Sequence, residues 1–241
     1  MRLPQIQGVI RRRMLVNFRV DPAAIGRWLP APFRPKLHAG SAIAGICLIR
    51  LEQIRPRPFP AWLGASSENA AHRIAVVWND DAGMAREGVF IPRRDTNSLL
   101  NRFAGGRLFP GEHHPADFRV ASQENRIDFE MKSSDGDVTV RLRARLGDCL
   151  SPTSRFRDLA EASAFFEPGS LGYSATASGD RLDGIVLKTR TWEVEPLEVE
   201  EVYSSYFADE RAFPKGSIEF DCALLMRNIE HEWRNAPDLY L

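Results

Sequence analysis

The sequence predicts a mainly β (α+β) fold in which antiparallel strands close into a barrel or folded sheet, with a few short helices. Strand-like runs recur along the whole 241-residue chain, whereas helical patterns are few and short. Asp135-Gly136 separates two alternating runs, which is a strong β-hairpin signal. No repeat, linker or low-complexity tract divides the chain, so we expect a single domain over residues 1–241.

The segment Val16–Leu51 predicts a strand, a short helix and a second strand. Asp21 is placed to cap a helix over Pro22–Leu29, because the missing N–H of proline costs nothing at the first helical position. Two further prolines end that helix. The nearly continuous apolar run Ile43–Leu51 then predicts a strand that is buried on both faces.

The mid-chain hairpin is predicted from Arg126–Lys132 and Val138–Leu146, each of which alternates between apolar and polar residues. The acidic row of the first strand can lie opposite the arginine row of the second, where each pair contributes a few tenths of a kcal/mol. The arginine row is therefore interpreted as a solvated ladder. Similar patterns predict further strands at His72–Trp78, Gly184–Glu195 and Ser217–Trp233.

Helical patterns beyond the first are predicted at Thr96–Phe103, at Arg155–Phe166 with Asp158 in its first turn, and at Glu198–Phe207. The glycine- and serine-rich segment Pro168–Gly184 is interpreted as a loop or a weak hairpin.

The formal net charge is zero, with 32 basic and 32 acidic residues, so no nucleic-acid or anionic membrane partner is expected. The dense basic cluster Arg11–Arg13 is interpreted as a solvated strand entry. No apolar run approaches the roughly 20 residues that span a bilayer, and the N-terminal residues lack the apolar core of a secretory signal.

The three cysteines, Cys47, Cys149 and Cys222, are odd in number and far apart, without metal-binding spacing. This usage predicts reduced thiols in a cytoplasmic protein. No G-x-G-x-x-G or Walker loop is present, so no nucleotide cofactor is expected. A homo-oligomer is left open.

Several short motifs together resemble the YqjF-like family of uncharacterised bacterial proteins (domain of unknown function 2071), in the acetoacetate-decarboxylase-like superfamily. These motifs are Phe18–Pro22, Leu29-Pro30, Gly40–Ala42, Arg55-Pro56, Glu68-Asn69 followed by Arg73, Gly88–Phe90, and Trp192 with Pro196. The resemblance implies a cone-shaped β-barrel with an enclosed cavity.

In the decarboxylase branch of that superfamily, a lysine in a Gly-Phe-Pro-Lys-like segment forms a Schiff base with the substrate ketone. The best match here is Arg107–Glu112, which has Gly111 at the lysine position, and glycine cannot form an imine. Lys188, which alternates with apolar residues in a predicted strand, and Lys215, in a Phe-Pro-Lys segment, remain weak catalytic candidates.

Four residues are candidates for ligand binding. Glu68 and Arg73 lie near a predicted interior strand and can orient a carboxylate or carbonyl ligand; the alternative is a structural ion pair at the barrel end. Arg94 either faces the cavity mouth or belongs to a charged surface turn. Glu112 is the fourth candidate. It begins the cluster Glu112–His114, whose adjacent histidines point in opposite directions, so no metal is expected.

These observations leave three hypotheses. The first is a small-molecule-binding barrel whose cavity holds an apolar or oxo-acid-like ligand. The second is a Schiff-base lyase or decarboxylase that acts on a small oxo acid through Lys188 or Lys215. The third is a structural or partner-binding protein with a filled barrel.

Overall fold

The strands pair into one sheet in the computed structural model, which describes residues 5–98, 111–123 and 125–241. Within these residues the strands are β1 (Ile6–Val20), β2 (Arg34–Pro35), β3 (Leu37–His38), β4 (Ser41–Pro56), β5 (Ala65–Asn79), β6 (Ala85–Thr96), β7 (His113–Gln123), β8 (Arg126–Ser133), β9 (Thr139–Leu146), β10 (Leu171–Ala175), β11 (Arg181–Thr189), β12 (Glu195–Ser204), β13 (Ile218–Asn235) and β14 (Leu239–Tyr240). The α-helices are α1 (Pro22–Gly26) and α2 (Leu159–Phe166), and short 3-10 helices span Ala61–Leu63 and Glu167–Ser170.

The sheet closes on itself twice. Its hydrogen-bonded order is β14-β11-β10-β6-β7-β8-β9-β12-β13-β1-β4-β5-β2, and the additional pairings β5–β6 and β11–β13 complete two rings. Both rings share β13, β1, β4, β5 and β6. Most neighbours are antiparallel, whereas β6 pairs in parallel with β7 and β10. The mainly β, mostly antiparallel fold predicted from the sequence is confirmed.

The shared central strands are buried on both faces because they serve two hydrophobic cores. Along β1, Met14 lies in the larger core and its neighbour Leu15 in the smaller one. Along β4, Ile46 and Leu48 lie in the larger core, while Cys47 lies in the smaller one. This double burial explains the continuous apolar run predicted to be a two-sided strand.

Both helices begin at aspartate caps. The Asp21 carboxylate accepts a hydrogen bond from the Ala23 amide at 2.8 Å, as predicted, although α1 ends at Gly26, before Leu29. Asp158 caps α2 by accepting from the Glu161 amide at 2.8 Å, and so precedes the first turn rather than lying within it. No helix in the described part of the chain is long and apolar enough to cross a membrane.

The hairpin β8–β9 has the predicted register. Asp128 lies opposite Arg143 and Glu130 opposite Arg141, with Arg143 Nε 3.2 Å from the Asp128 carboxylate. Both arginines also approach Glu201 on the other neighbour, β12, at 3.4–3.5 Å. The arginine row is therefore a partly exposed ion-pair ladder across three strands.

Two predicted elements are wrong. The predicted helix Glu198–Phe207 falls largely on β12, where pairing with the arginine-bearing β9 overrides local helix propensity. The predicted strand Gly184–Glu195 is divided, because β11 ends at Thr189 and β12 begins at Glu195. The segment interpreted as a loop or weak hairpin contains the hairpin β10–β11.

One predicted helix is only partly testable. The helix predicted over Thr96–Phe103 does not begin at Thr96, which is the last residue of β6. Residues 99–103 of this prediction lie outside the described residues.

Candidate functional site

A cavity of about 380 Å³ lies on the smaller-core side of the central strands, between β1, β4 and β5 and the strands β6, β10 and β11. Its walls are largely aliphatic and aromatic, a composition typical of a small-molecule site. They include Ile49, Leu51, Ile54, Val89, Ile91, Ile185, Leu187 and Trp233. Ala65 also lines the cavity and is exposed, so the cavity reaches the protein surface there.

Strand alternation decides which side chains of β5 enter the cavity. Ala71 and Arg73 line it, whereas the intervening His72 is fully buried in the larger core, where its Nε2 lies 3.0 Å from the Ser204 hydroxyl. The period of two therefore directs the Arg73 guanidinium into the cavity and the His72 ring away from it.

Four arginines line the cavity. Arg55 on β4 donates to the backbone carbonyls of Phe59 and Gln53, and the other three, Arg13, Arg73 and Arg94, come from three further strands. Arg13 and Arg73 are only 6% and 5% exposed. Among the residues that the structure describes, no carboxylate lies within the 4 Å of an ion pair to any of the three. The cavity therefore concentrates positive charge that the described protein does not neutralise.

The hydrogen bonds of these guanidinium groups go to partners other than carboxylates. Arg73 Nη2 donates to Asn17 Oδ1 at 2.8 Å, and the Asn17 amide in turn donates to the Leu15 carbonyl at 2.9 Å. Arg13 Nε donates to Cys47 Sγ at 3.3 Å. Arg94 Nε donates to a serine hydroxyl at 3.3 Å. These bonds fix the side chains in place without offsetting their charge.

Two buried donors of these guanidinium groups have no hydrogen-bond partner within the described ranges, namely Arg13 Nη1 and Arg94 Nη2. A buried donor left unpaired costs roughly 1–3 kcal/mol, more when it is charged. Burial lowers the pKa of both Arg73 and Arg94 to about 10, so both remain cationic at neutral pH. Unpaired cationic donors at an apolar cavity are what an anionic ligand would satisfy.

Asp95 also lines the cavity, but its carboxylate is engaged by Arg93. Arg93 Nε donates to Asp95 Oδ1 at 3.1 Å, and Arg93 Nη2 also reaches Asp135 at 2.8 Å. Burial raises the pKa of Asp95 above its ordinary value. This local ion-pair cluster holds the end of β6 and does not neutralise Arg94.

The structure brings together only two of the four predicted ligand-binding residues. Arg73 and Arg94 both line the cavity. Glu68 does not, because it lies on the opposite face of β5 and pairs with Arg12 at 2.8 Å and with Arg50 at 4.0 Å. Glu68 therefore forms a structural ion pair, with Arg12 instead of Arg73.

Glu112 is the fourth candidate, and it is exposed and outside the cavity lining. Its neighbours diverge as expected for adjacent residues in an extended segment. His113 lines the cavity, where burial and the nearby Arg94 lower its pKa to about 3 and leave the ring neutral. His114 Nδ1 instead lies 3.1 Å from Asp135. No group of three metal-binding side chains occurs among the described residues.

All four lysines of the chain lie in the described ranges, and none lines the cavity. The catalytic candidate Lys188 is exposed on β11 and does not face the cavity, because its neighbour Leu187 takes the cavity-facing position. Lys215 is exposed in the turn before β13. Lys36 pairs with Glu87 at 2.8 Å. No lysine is therefore placed to meet a ligand in this cavity.

Gly111 packs tightly against the Arg94 hydrogen bond. Its backbone is left-handed, with φ of +77°, and a Cβ there would lie 2.6 Å from the Ser174 Cβ and 3.7 Å from Arg94 Nε. Ser174 is the hydroxyl partner of Arg94. A side chain at position 111 would therefore displace the serine that orients Arg94.

Sequence reasoning missed Arg13 and Cys47. The basic cluster was interpreted as solvated, which holds for the exposed Arg11, whereas Arg12 is partly buried against Glu68 and Arg13 is buried in the cavity. A register shift between Ile10 and Arg12 in the β1–β4 pairing breaks the alternation there. The sequence signal for a buried arginine was the position of this basic cluster between apolar residues.

The closed sheet has the acetoacetate-decarboxylase-like fold. An acetoacetate decarboxylase from Legionella pneumophila superposes with a TM-score of 0.59 at 11% identity, covering 98% of this chain and 88% of that one. An acetoacetate decarboxylase-like enzyme from Sphingomonas wittichii RW1 gives 0.60 at 14% identity, covering 100% and 94%. The enduracididine biosynthesis enzyme MppR, complexed with pyruvate, gives 0.62 at 10% identity, covering 100% and 91%.

The chain belongs to the DUF2071 family, described as an uncharacterized conserved protein, whose model matches residues 9–217. A comparison with curated proteins found no match. At these identities the structural likeness establishes the fold.

Proposed function

We propose that the cavity binds a small organic acid, with its carboxylate on the guanidinium groups of Arg13, Arg73 and Arg94 and its carbon skeleton against the aliphatic walls. The observation that carries this proposal is the convergence of three cationic side chains, without a carboxylate partner in the described part of the chain, on one apolar cavity. A guanidinium presents parallel N–H donors that match a carboxylate.

The volume and lining favour a small oxo acid. A cavity of about 380 Å³ is at the lower end of the range for small-molecule sites, and its aliphatic walls suit a short carbon chain. The neutral His113 ring lies on the same lining as Arg94 and adds no charge beside the guanidinium groups. Structures of the same fold include a pyruvate complex, which supports this class of ligand.

In this proposal the protein binds and orients the acid without forming an imine. We infer that Gly111 occupies the position at which the decarboxylase branch carries its lysine, and this rests on the resemblance of the Arg107–Glu112 segment. The placement of the lysines supports the inference, because Lys188 and Lys215 are exposed away from the cavity. The Schiff-base alternative therefore has no observation in its favour, and the filled-barrel alternative is disfavoured by the cavity volume.

Titration calorimetry with acetoacetate and with acetoacetamide tests the proposal, because the two compounds differ in the carboxylate. We expect acetoacetate to bind and acetoacetamide to bind at least about tenfold more weakly, since a hydrogen bond to a charged group contributes roughly 1.5–3 kcal/mol. Arg94→Met should weaken acetoacetate binding by at least about tenfold for the same reason.

The matched control is Arg190→Met, since Arg190 is exposed, pairs with Glu230 at 3.0 Å and lies outside the cavity lining. This variant should bind acetoacetate as the unmodified protein does. Equal affinity for the acid and the amide, or no effect of Arg94→Met on a measurable affinity, would contradict the proposal.

A further inference from the structure

Cys47 is the one thiol that lines the cavity. It lies on β4, with Arg13 Nε donating to its Sγ at 3.3 Å, and its partner across the β4–β5 pairing is Ala71, two residues from Arg73. A guanidinium N–H directed at sulfur stabilises negative charge on that sulfur. The arrangement differs from that of a thiol buried only among hydrocarbon groups.

A second observation points to a ligand at this thiol. Arg13 is 6% exposed, and its Nη1 has no hydrogen-bond partner in the described residues. Nε of the same guanidinium donates to Cys47, so one arginine both contacts the sulfur and carries a donor left for an anion. The cavity thus places a carboxylate-binding group and a nucleophile side by side.

We infer that Cys47 is a nucleophilic site at which an α,β-unsaturated carboxylate becomes covalently attached. The inference rests on the proposed function, because the same guanidinium groups recruit the carboxylate. The ligand class follows from the juxtaposition: the carboxylate is held by arginine, and the carbon two bonds away from it is presented to the sulfur.

The step balances without an oxidant, a reductant or a leaving group. The Sγ–Cβ bond forms as the π bond between Cα and Cβ of the acid breaks, and the electron pair moves toward the carboxylate. The proton lost by the thiol is returned at Cα, so the product is a thioether acid. The charge that develops on the carboxylate during attack is stabilised by the arginines that already bind it.

The other two cysteines serve as internal references. Cys149 is exposed and outside the cavity lining. Cys222 is buried in a different environment, where the Asn17 amide lies 3.7 Å from its sulfur, and burial raises the pKa of its thiol. Only Cys47 combines cavity access with a guanidinium donor on its sulfur.

Acrylate and acrylamide form a matched pair of reagents for the full-length folded protein, because they share the alkene and differ in charge. The rate of each is measured at each cysteine by peptide mass spectrometry, and the acrylate-to-acrylamide ratio at Cys47 is divided by the same ratio at Cys149. Normalisation to Cys149 removes the lower intrinsic reactivity of acrylate. We expect the quotient to be at least about ten.

Three variants complete the design. Arg94→Met should lower the quotient toward one, whereas Arg190→Met should leave it unchanged, because Arg190 is exposed and outside the cavity. Cys47→Ser should abolish the adduct on the corresponding peptide and confirm its assignment.

The inference fails if Cys47 resists both reagents while Cys149 reacts, or if the quotient for the unmodified protein is close to one. Its failure is distinguishable from failure of the proposed function. Calorimetric binding of acetoacetate together with an unreactive Cys47 would refute the nucleophile and leave the binding site standing. If acetoacetate does not bind and Cys47 does not react, both the proposed function and this inference are wrong.

Discussion

At Gly111 the backbone passes close to the Arg94–Ser174 hydrogen bond. Two requirements meet there: a left-handed φ of +77°, and space for no Cβ, since one would lie 2.6 Å from the Ser174 Cβ. Gly136, in the β8–β9 turn, has a nearly identical φ of +79° but nothing within 4 Å of its hypothetical Cβ. Comparing substitutions at the two glycines therefore separates the energetic cost of conformational strain from the cost of close packing.

We expect Gly111→Ala to destabilise the fold by about 2–4 kcal/mol, from the strain of a left-handed alanine together with overpacking against Ser174. Gly136→Ala, which carries only the conformational strain, should cost about 1 kcal/mol. Urea denaturation of both variants measures the difference. Equal losses would show that the approach of Gly111 to Ser174 carries no energetic weight.

At this scale the sequence predicted part of the site. Arg73 and Arg94 were identified as ligand-binding candidates, and the structure places both on the cavity. Arg13 was not identified. The register shift after Ile10 interrupts the alternation of inward and outward side chains along β1, so the sequence pattern does not show which face Arg13 occupies. The direction of Glu68 was also unreadable without knowing that β5 has a core on each face.

At the scale of strands, two arginines of the described sheet show how burial determines the contribution of an ion pair to the stability of the fold. Arg93 on β6 is 9% exposed and contacts Asp95 and Asp135 at 2.8–2.9 Å. The Arg143 side chain on β9 is 48% exposed and contacts its acidic partners at 3.2–3.4 Å. Removing Arg93 would leave the Asp95 carboxylate buried without its cation, whereas the partners of Arg143 remain solvated.

We expect Arg93→Met to lower the free energy of unfolding by about 3–5 kcal/mol, the usual result of breaking a buried pair from one side. Arg143→Met should cost no more than about 1 kcal/mol, because exposed pairs are weak and screened by salt. Urea denaturation at low and high salt checks both values. A loss for Arg143→Met that matches that of Arg93→Met would refute this assignment.

The same ladder explains which strand could not be predicted. The local pattern of β12 resembles a helix, with acidic and apolar residues mixed over Glu198–Phe207. Its strand conformation follows from pairing with β9, where Arg145 Nη2 contacts the Glu198 carboxylate at 2.6 Å. That partner lies some fifty residues earlier in the chain, so no local window contains the information.

At the scale of the whole molecule, alternation predicts strands and hairpins but not the closures that divide the interior. The pairings β5–β6 and β11–β13 turn one sheet into two rings and leave the central strands between two cores. The cavity is a consequence of that division: it lies on one side of β5, where Arg73 points, while His72 points to the other. Composition alone could not reveal which core would remain partly empty.

Burial across the molecule also determines how its stability responds to acid. Burial lowers the pKa of His72 and His113 to about 3 and that of His231 to about 4. An unfolded histidine titrates near pH 6.5, so between about pH 6.5 and pH 4 the unfolded chain binds protons that the folded protein does not. The stabilisation by these neutral rings is fully present above about pH 6.5 and is lost as the pH falls toward the folded-state values.

We therefore expect the free energy of unfolding to fall as the pH is lowered from about 7 to 5, by up to about 1.4 kcal/mol per pH unit for each of the three histidines. Burial raises the pKa of Glu68 and Asp95, and a raised carboxyl pKa changes stability with pH in the opposite direction. The variant His72→Gln isolates the histidine contribution: its slope, measured by urea denaturation across this range, should be shallower by about one proton. An unchanged slope in His72→Gln would show that His72 is not held neutral by burial, whatever the absolute stability of the variant.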